Sequence, residues 1–318
     1  MNPEMKPIKP MLAVSGKPFS ARGWTFEPKI DGTRCIAHIR NDVVLLQNRR
    51  LVDITYRYPE IVSALAKGRD CVLDGEIAVL TDGRPDFSAL AMREHQTRKM
   101  KIDYLSEAQL ASYIVFDILR SGGEDVMDKP LTERKKILKE ELEEDDIVSI
   151  IDSFPENGEA YFRAAVKLGL EGIMGKKESS VYQPGLRSSD WIKMKRSLTV
   201  DMVVGGYIPG NGNRESFFGG LLMGAYDQGK LIYIGRVGSG FSEKELETVT
   251  KSFQPVSKSP FSNPPPTSRV IWLKPEMVVE VTAMEVTHDG HLRAPVFLRL
   301  RDDKEPQDCL LELIRATS

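Results

Sequence analysis

Lys29 lies in the run Glu27-Pro28-Lys29-Ile30-Asp31-Gly32-Thr33-Arg34, at the end of a strand-like segment and beside an Asp-Gly turn. A lysine amine attacks phosphorus only in its neutral form, and an unperturbed lysine stays protonated to a pH of about 10.4. Cationic neighbours and partial burial lower that value. Lys193 and Lys195, in Trp191-Ile192-Lys193-Met194-Lys195, lie two apart, so on a strand both face the same side. Between them and Lys29 come Asp74-Gly75-Glu76, Phe116-Asp117 and Glu171-Gly172-Ile173-Met174-Gly175-Lys176-Lys177. Lysines, arginines and a few carboxylates, with no serine–histidine pairing, suit phosphoryl transfer, which needs charge neutralisation more than acid–base chemistry. Singly, each residue has a plainer reading. Lys29 is surface beside a turn, Phe116 is core packing, Glu171 is a turn carboxylate, and Lys193 and Lys195 are a solvated strand edge.

The elements that must position these residues can be read from periodicity and turn chemistry. Trp24–Asp31, Arg34–Arg40, Val43–Asn48, Cys71–Leu80 and Tyr113–Leu119 are predicted strands. Asn41-Asp42 suits a hairpin turn, and Thr81-Asp82-Gly83 ends the fourth strand. Thr132–Glu143 is a predicted helix with Ile137, Leu138 and Leu142 on one side. Tyr161, Ala164, Ala165 and Leu168 have the i, i+3, i+4, i+7 spacing of a buried helical stripe. After about Ser197 the texture changes to five strand candidates: Val200–Tyr207, Leu221–Tyr226, Leu231–Val237, Met277–Val286 and Val296–Arg301. Asp227-Gln228-Gly229-Lys230 forms a turn between the second and third, and the proline-rich Ser257–Ser268 is a loop. Five short strands in this span predict a small barrel. The domain boundary falls near Arg196–Thr199, giving units 1–197 and 198–318.

Composition narrows the class. The 318 residues suggest two domains, and 41% apolar with 28% charged residues is an ordinary globular balance. The opening residues carry no secretory apolar core, and no stretch approaches the roughly 20 apolar residues of a membrane span. A cytoplasmic protein without a membrane partner is expected. Lys and Arg total 44 against 46 Asp and Glu, so a nucleic-acid-binding face must be a local patch. Arg93, Arg98, Lys99 and Lys101 are the densest such patch in the first domain, set against a merely solvated face. Cys35, Cys71 and Cys309 are scattered and form no CxxC, which argues against a cysteine-based zinc site or a disulfide framework. The four histidines, His38, His95, His288 and His291, suggest no catalytic pairing or metal site.

Taken in order, the segments resemble the nucleotidyltransferase motifs of ATP-dependent DNA ligases and mRNA capping enzymes. Lys29-Ile30-Asp31-Gly32 has the family form KxDG, and Arg293–Lys304 is similar to the family's closing motif. The resemblance runs from about Met11 to Lys304. It implies an α+β fold: an adenylation (nucleotidyltransferase) domain of antiparallel sheets and helices, followed by a C-terminal OB-fold barrel. It also implies that Lys29 carries AMP from ATP, with Lys193 and Lys195 holding the α-phosphate. Glu27 would set adenine recognition, Arg34 would contact ribose or DNA phosphate, and Arg49 would contact phosphate. Glu76 would hold the ribose hydroxyls and help with metal, and Phe116 would stack on adenine. Glu171 would bind Mg²⁺ or Mn²⁺, a hard ion suited to carboxylate and phosphate oxygens. Arg301, Asp303 and Lys304 would act on the β- and γ-phosphates during the first step only. Gly235–Phe241 resembles a strand running into a glycine turn in the ligase barrel, with Arg236 as a phosphate contact.

Glu27-Pro28-Lys29, Glu171–Met174 and Val237–Phe241 look more like a DNA ligase than a capping enzyme. The short core is similar to the ligase domain of bacterial and archaeal ligase D, which serves non-homologous end joining. That implies a stand-alone monomeric ligase acting on DNA with nicks or double-strand ends, in the nucleoid of a prokaryote. Ku and separate end-processing enzymes are the candidate partners. NAD is not the expected donor, because NAD-dependent ligases carry an added N-terminal domain and a four-cysteine zinc site. The alternatives are an mRNA guanylyltransferase or RNA ligase using the same lysine chemistry, and a catalytically dead nucleic-acid-binding protein.

Overall fold

The structure is a computed structural model and describes residues 5–66, 69–267, 269–287 and 289–316. His288 and Ser268 lie outside the described residues. The chain divides into two compact units, Met1–Lys195 and Arg196–Ser318.

The first unit is built on two sheets. One has the order Val43–Asn48, Thr33–Arg40, Cys71–Thr81, Ala111–Ser121, and its pairings are antiparallel except where Val148–Ile150 joins Ala111–Ser121 in parallel. Asn41 and Asp42, with φ of 48° and 62°, make the hairpin turn expected of them. The main core of this unit lies on one face of that sheet, where Leu73, Ile77 and Val115 pack against Ile61 and Leu90 of two helices and Leu138 of a third. The other face packs Ile36, Ile114 and Phe116 against Met11, Tyr182 and Trp191. The second sheet orders Leu12–Ser15, Arg187–Lys195, Gly172–Lys177 and Trp24–Pro28. Its first pairing is also parallel.

Local periodicity misplaced one surface. The helix Gly158–Lys167 forms, but its buried side is Ala165 with Tyr161 and Phe162, while Ala164 and Leu168 are exposed. The helix ends at Lys167, so Leu168 at the end of the expected stripe is no longer carried on its face. The helices Phe87–Glu94 and Lys99–Ala108 were not expected from the sequence. The second of these buries only Ile102 and Leu105 and leaves Met100 at 86% and Tyr104 at 67% exposure, so its apolar residues do not all fall on one face.

The second unit has all five expected strands. Lys230–Val237, Phe218–Asp227, Leu198–Pro209 and Ile271–Ala283 are successive antiparallel neighbours, and Val296–Leu300 pairs with the last. Gln228 and Gly229, at φ of 48° and 75°, close the expected hairpin. This antiparallel five-strand order is the one expected of a small barrel. One helix, Glu243–Lys251, had a readable signal: Ser242 caps it and Glu245 reaches back, a reciprocal capping box.

Candidate active site

Three strands far apart in sequence bring the chemistry together. Trp24–Pro28 pairs with Gly172–Lys177, which pairs with Arg187–Lys195, and the register sets Ile173 opposite Pro28 and Gly172 opposite Lys195. Lys29 follows the first strand and donates its backbone N–H to the Gly172 carbonyl at 3.0 Å. Lys29, Glu171 and Lys195 therefore meet at one end of the sheet. A side chain at Gly172 is excluded twice over: its φ is +150°, and a Cβ would lie 2.0 Å from the Met194 carbonyl oxygen. Gly32 of the KxDG run is equally confined, because a Cβ there would lie 2.3 Å from the Ile77 carbonyl oxygen.

Lys29 and Lys195 line a cavity of about 260 Å³, with Glu171 bound to both. At one end Glu171 uses both carboxylate oxygens, Oε2 toward Lys29 Nζ and Oε1 toward Lys195 Nζ. Burial pushes the Glu171 carboxyl up, but the two lysines more than offset this and leave it below its usual range. Lys193, Arg49 and Arg187 line the same cavity. Partial burial and the surrounding cations Lys195, Arg187, Lys29 and Arg49 push the Lys193 ammonium below its ordinary value. Lys29, Lys193, Lys195, Arg49 and Arg187 line the cavity with fewer carboxylates, Glu171 and Glu76, beside them, an arrangement suited to an anion such as a polyphosphate.

The opposite end is apolar and stacked. Phe116, 8% exposed, lines the cavity edge-on to Trp191, with Lys176 Nζ 4.1 Å and the Arg34 guanidinium 4.5 Å from its ring centroid. Phe116 thus belongs to the core as well as to the cavity wall. Glu27 is buried and faces Lys135 and, at 2.6 Å, Lys176. Burial pushes the Glu27 carboxyl up, and the two lysines bring it below the normal range. Burial pulls the Lys176 ammonium down to about 8 despite Glu27. Sequence reasoning gave no role to Lys135 or Lys176. Lys176 carried a faint signal as a charge two residues from another buried position of a strand; Lys135 carried none.

Arg34 is held rather than extended. Its Nε and Nη2 donate to Oδ1 and Oδ2 of the buried Asp74, both at 2.6 Å, and Tyr182 donates its hydroxyl to Oδ2 at 2.6 Å. Burial opposes the Arg34 charge, but Asp74 raises its basicity above the usual value. Arg34 is therefore fixed against Asp74 and Phe116 at the cavity wall. Glu76, on the same strand as Asp74, also lines the cavity. Burial pushes the Glu76 carboxyl up to about 7, only partly opposed by Arg34 and Lys29 and assisted by the charges of Asp74 and Glu171.

The expected basic patch is corrected at one position. Arg93 is 1% exposed and spends its guanidinium on Glu60 at 2.5 Å and on the carbonyls of Arg57 and Gln109. It is a structural cation, and Lys99 is paired with Asp103 on its own helix. In the second unit, Arg236 is exposed on the strand Lys230–Val237. Arg301 donates to Asp201 at 2.8 Å and to Asp303 at 2.8 and 3.0 Å, and Lys304 reaches Asp201 at 2.7 Å. The Arg301 hydrogen bonds lower the Asp303 carboxyl to about 2. The three cysteines are free and buried.

Comparison with known proteins decides the family. The family described as "ATP dependent DNA ligase domain" matches residues 10–195, and "ATP dependent DNA ligase C terminal region" matches residues 214–304. The chain belongs to the ATP-dependent DNA ligases. The multifunctional non-homologous end joining protein LigD of Mycolicibacterium smegmatis is 34% identical over 321 residues, covering 98% of this chain and 40% of that protein. A DNA ligase of Thermococcus fumicolans is 32% identical over 326 residues, 95% of this chain and 57% of that protein. The chain thus spans about half the length of these curated relatives. The crystal structure of the ligase domain of M. tuberculosis LigD is 32% identical and superposes with a TM-score of 0.53, covering 95% of this chain and 98% of that one. The capping-enzyme, RNA-ligase and dead-binder readings are not favoured by these matches.

ATP use comes with the family, and the residues also fit a divalent ion accompanying it. No cluster of three or more His, Cys, Asp or Glu side chains able to hold a metal occurs among the described residues. Mg²⁺ and Mn²⁺ at phosphate sites need only one or two carboxylates, the remaining ligands being water and phosphate. Glu171 and Glu76 are two carboxylates near enough that the Glu171 charge helps to push the Glu76 carboxyl up. No helix among the described residues is long and apolar enough to cross a membrane.

Proposed function

We propose that this chain seals 3′-hydroxyl/5′-phosphate breaks in DNA with ATP, through a lysyl-AMP on Lys29. The observation that carries the reading is Glu171 clasped between Lys29 and Lys195 beneath a ring of further cations. In the first step the neutral Nζ of Lys29 attacks the α-phosphorus of ATP. The N–P bond forms as the amine gives up one proton, the bond to the bridging oxygen breaks, and pyrophosphate leaves with that oxygen and takes up the proton. Before ATP binds, Lys29 Nζ is engaged with the Glu171 carboxylate. A divalent ion on Glu171 and Glu76 would neutralise phosphate charge. Lys193 and Lys195 orient the α-phosphate, while Arg301, Asp303 and Lys304 from the second unit serve the leaving pyrophosphate.

Phe116 offers the adenine a face, Glu27 lies at the base end, and Glu76 reaches the ribose. AMP then passes to the DNA 5′-phosphate, breaking the P–N bond, and the 3′-hydroxyl displaces AMP to form the phosphodiester. Arg49, Arg34 and Arg236 are the proposed contacts to phosphate along this route. The similarity to LigD supports a role in end joining of double-strand breaks, in the cytoplasm with the nucleoid, with Ku and separate end-processing enzymes as candidate partners and the ligase itself a monomer. Incubation with labelled ATP or GTP followed by denaturing electrophoresis tests the first step. Sealing of nicked, cohesive and blunt substrates tests the rest. A label from GTP but not ATP would overturn the reading.

A further inference from the structure

Asp74 is fully buried, and its carboxylate is the hub of a closed ring of hydrogen bonds at the wall of the nucleotide cavity. Arg34 lays Nε and Nη2 on the two carboxylate oxygens, a bidentate pair that fixes the guanidinium plane. The Tyr182 hydroxyl donates at 2.6 Å to the same Oδ2 that Nη2 uses. Arg34 Nη2 also donates to the Met11 carbonyl at 3.3 Å, and the Met11 N–H donates to the Tyr182 oxygen at 3.0 Å. Tyr182, Asp74, Arg34 and Met11 are thus each bonded to the next, and the ring closes.

One nitrogen of Arg34 stands outside this ring. Nη1 has no acceptor among the described residues and is not sealed from solvent, while Arg34 lines the nucleotide cavity. The protein therefore uses the Nε–Nη2 edge of the guanidinium and leaves one NH₂ group for a ligand. Tyr182 is itself held from outside the cavity. It is 3% exposed, lies between the strands Gly172–Lys177 and Arg187–Lys195, and stands edge-on to Trp191. Its N–H donates to the Met127 carbonyl at 2.8 Å. Two residues earlier, the Ser180 carbonyl accepts from Arg134, whose guanidinium is locked on the fully buried Asp117 at 2.7 and 2.9 Å. Burial and the Asp74 charge hold the Tyr182 phenol well above its ordinary range, so it keeps its proton and always donates.

We propose that Tyr182 is a positioning residue for ligation, its hydroxyl fixing the Asp74 carboxylate so that Arg34 presents Nη1 to a phosphate, an inference that rests on the reading of Arg34 as a phosphate contact. Tyr182 is not among the described residues that line the cavity, so it acts only through Asp74 and Arg34. Without the hydroxyl, Asp74 keeps its two bonds to Arg34 but loses the third donor that sets the carboxylate plane, and the Met11 N–H loses its acceptor. A guanidinium carried on a loosened carboxylate reaches its target in the productive geometry less often.

Three steps are measured in single turnover on the full chain: lysyl-AMP formation, AMP transfer to a nick, and sealing of a nick that already carries AMP. A wild type that neither labels with ATP nor seals would overturn the ligase reading and this inference with it; the variants test Tyr182 alone. Tyr182→Phe should slow, by about tenfold or more, the same step that Arg34→Gln slows most, and leave the other steps near wild type. Adding Tyr182→Phe to Arg34→Gln should cost nothing further, because nothing is left for the hydroxyl to position. Tyr182→Met removes the same hydroxyl with a flexible apolar side chain and should repeat the step pattern. Tyr58→Phe is the control: that hydroxyl is also buried but has no hydrogen-bond partner, so its loss should leave every step unchanged. Thermal melts show that each variant is folded at the assay temperature. Unchanged rates in Tyr182→Phe, loss in a different step, an equal loss in Tyr58→Phe, or a loss that multiplies with that of Arg34→Gln would overturn the proposal. A purely structural role for Tyr182 gives the multiplied loss.

Discussion

Lys29 and Glu171 are 142 residues apart in sequence and directly hydrogen-bonded in the fold, Nζ to Oε2. The pair sets the proposed nucleophile among other cations with one counter-charge nearby: a single carboxylate, 8% exposed, bridges Lys29 and Lys195. Lys29→Ala should abolish the labelled adduct and nick sealing alike. A normal adduct in that variant would place the nucleophile elsewhere.

Glu171→Gln keeps the shape of the side chain and removes its charge. Lys29 and Lys195 then lose the carboxylate they share, and the proposed divalent ion loses a ligand. Adenylation should fall by about 10²-fold or more, in line with the loss of a preorganised charge at a reacting phosphate. Single-turnover formation of lysyl-AMP measures it; wild-type rates would show that the carboxylate is dispensable.

Arg301 and Lys304 share the two oxygens of Asp201, at 2.8 and 2.7 Å. If they serve pyrophosphate, Arg301→Ala and Lys304→Ala should fail to form lysyl-AMP yet still seal a nick that already carries AMP on its 5′-phosphate. Both activities would be read on the same preparations. Equal loss of the two steps would contradict a role confined to the first.

Glu76 makes stability depend on pH in an unusual direction. Its folded-state carboxyl titrates near 7 against an ordinary 4.5, so the native state holds a proton that the unfolded chain has released. The resulting stabilisation is complete below about pH 4.5 and is lost as pH rises through 7. Glu76→Gln should therefore be more stable than the parent at pH 8, by on the order of 2 kcal/mol, with the difference vanishing toward pH 4. Thermal melts across that range decide it, and a constant difference would remove Glu76 as the cause.

Glu27, Lys135 and Lys176 form a buried trio with one net positive charge. Glu27→Gln leaves two ammonium groups facing each other in the interior and should cost about 3–5 kcal/mol. Lys135→Met leaves a balanced Glu27–Lys176 pair and should cost much less. Denaturant unfolding of both variants without ATP tests the ranking; equal costs would show that the trio is not held by its charge balance.

Much of this protein was legible locally. The order of Lys29, Glu76, Phe116, Glu171 and Lys193–Lys195 along the chain, the Asn41-Asp42 and Gln228-Gly229 turns, and the five strands of the second unit depend on near neighbours, where spacing and turn chemistry act directly. What the tertiary structure decided is which charges meet. Asp74 receives Arg34 from 40 residues away and Tyr182 from 108, and Glu27 is closed in by Lys135 and Lys176 from two other elements. Arg93 looked like surface charge and became an interior cation because Glu60, Arg57 and Gln109 converge on it. No local pattern announces such partners. A side chain's charge is written in the sequence, but its counter-charge and its burial are set by strand register and packing between distant segments, and these decide whether a lysine is solvated, structural or a nucleophile.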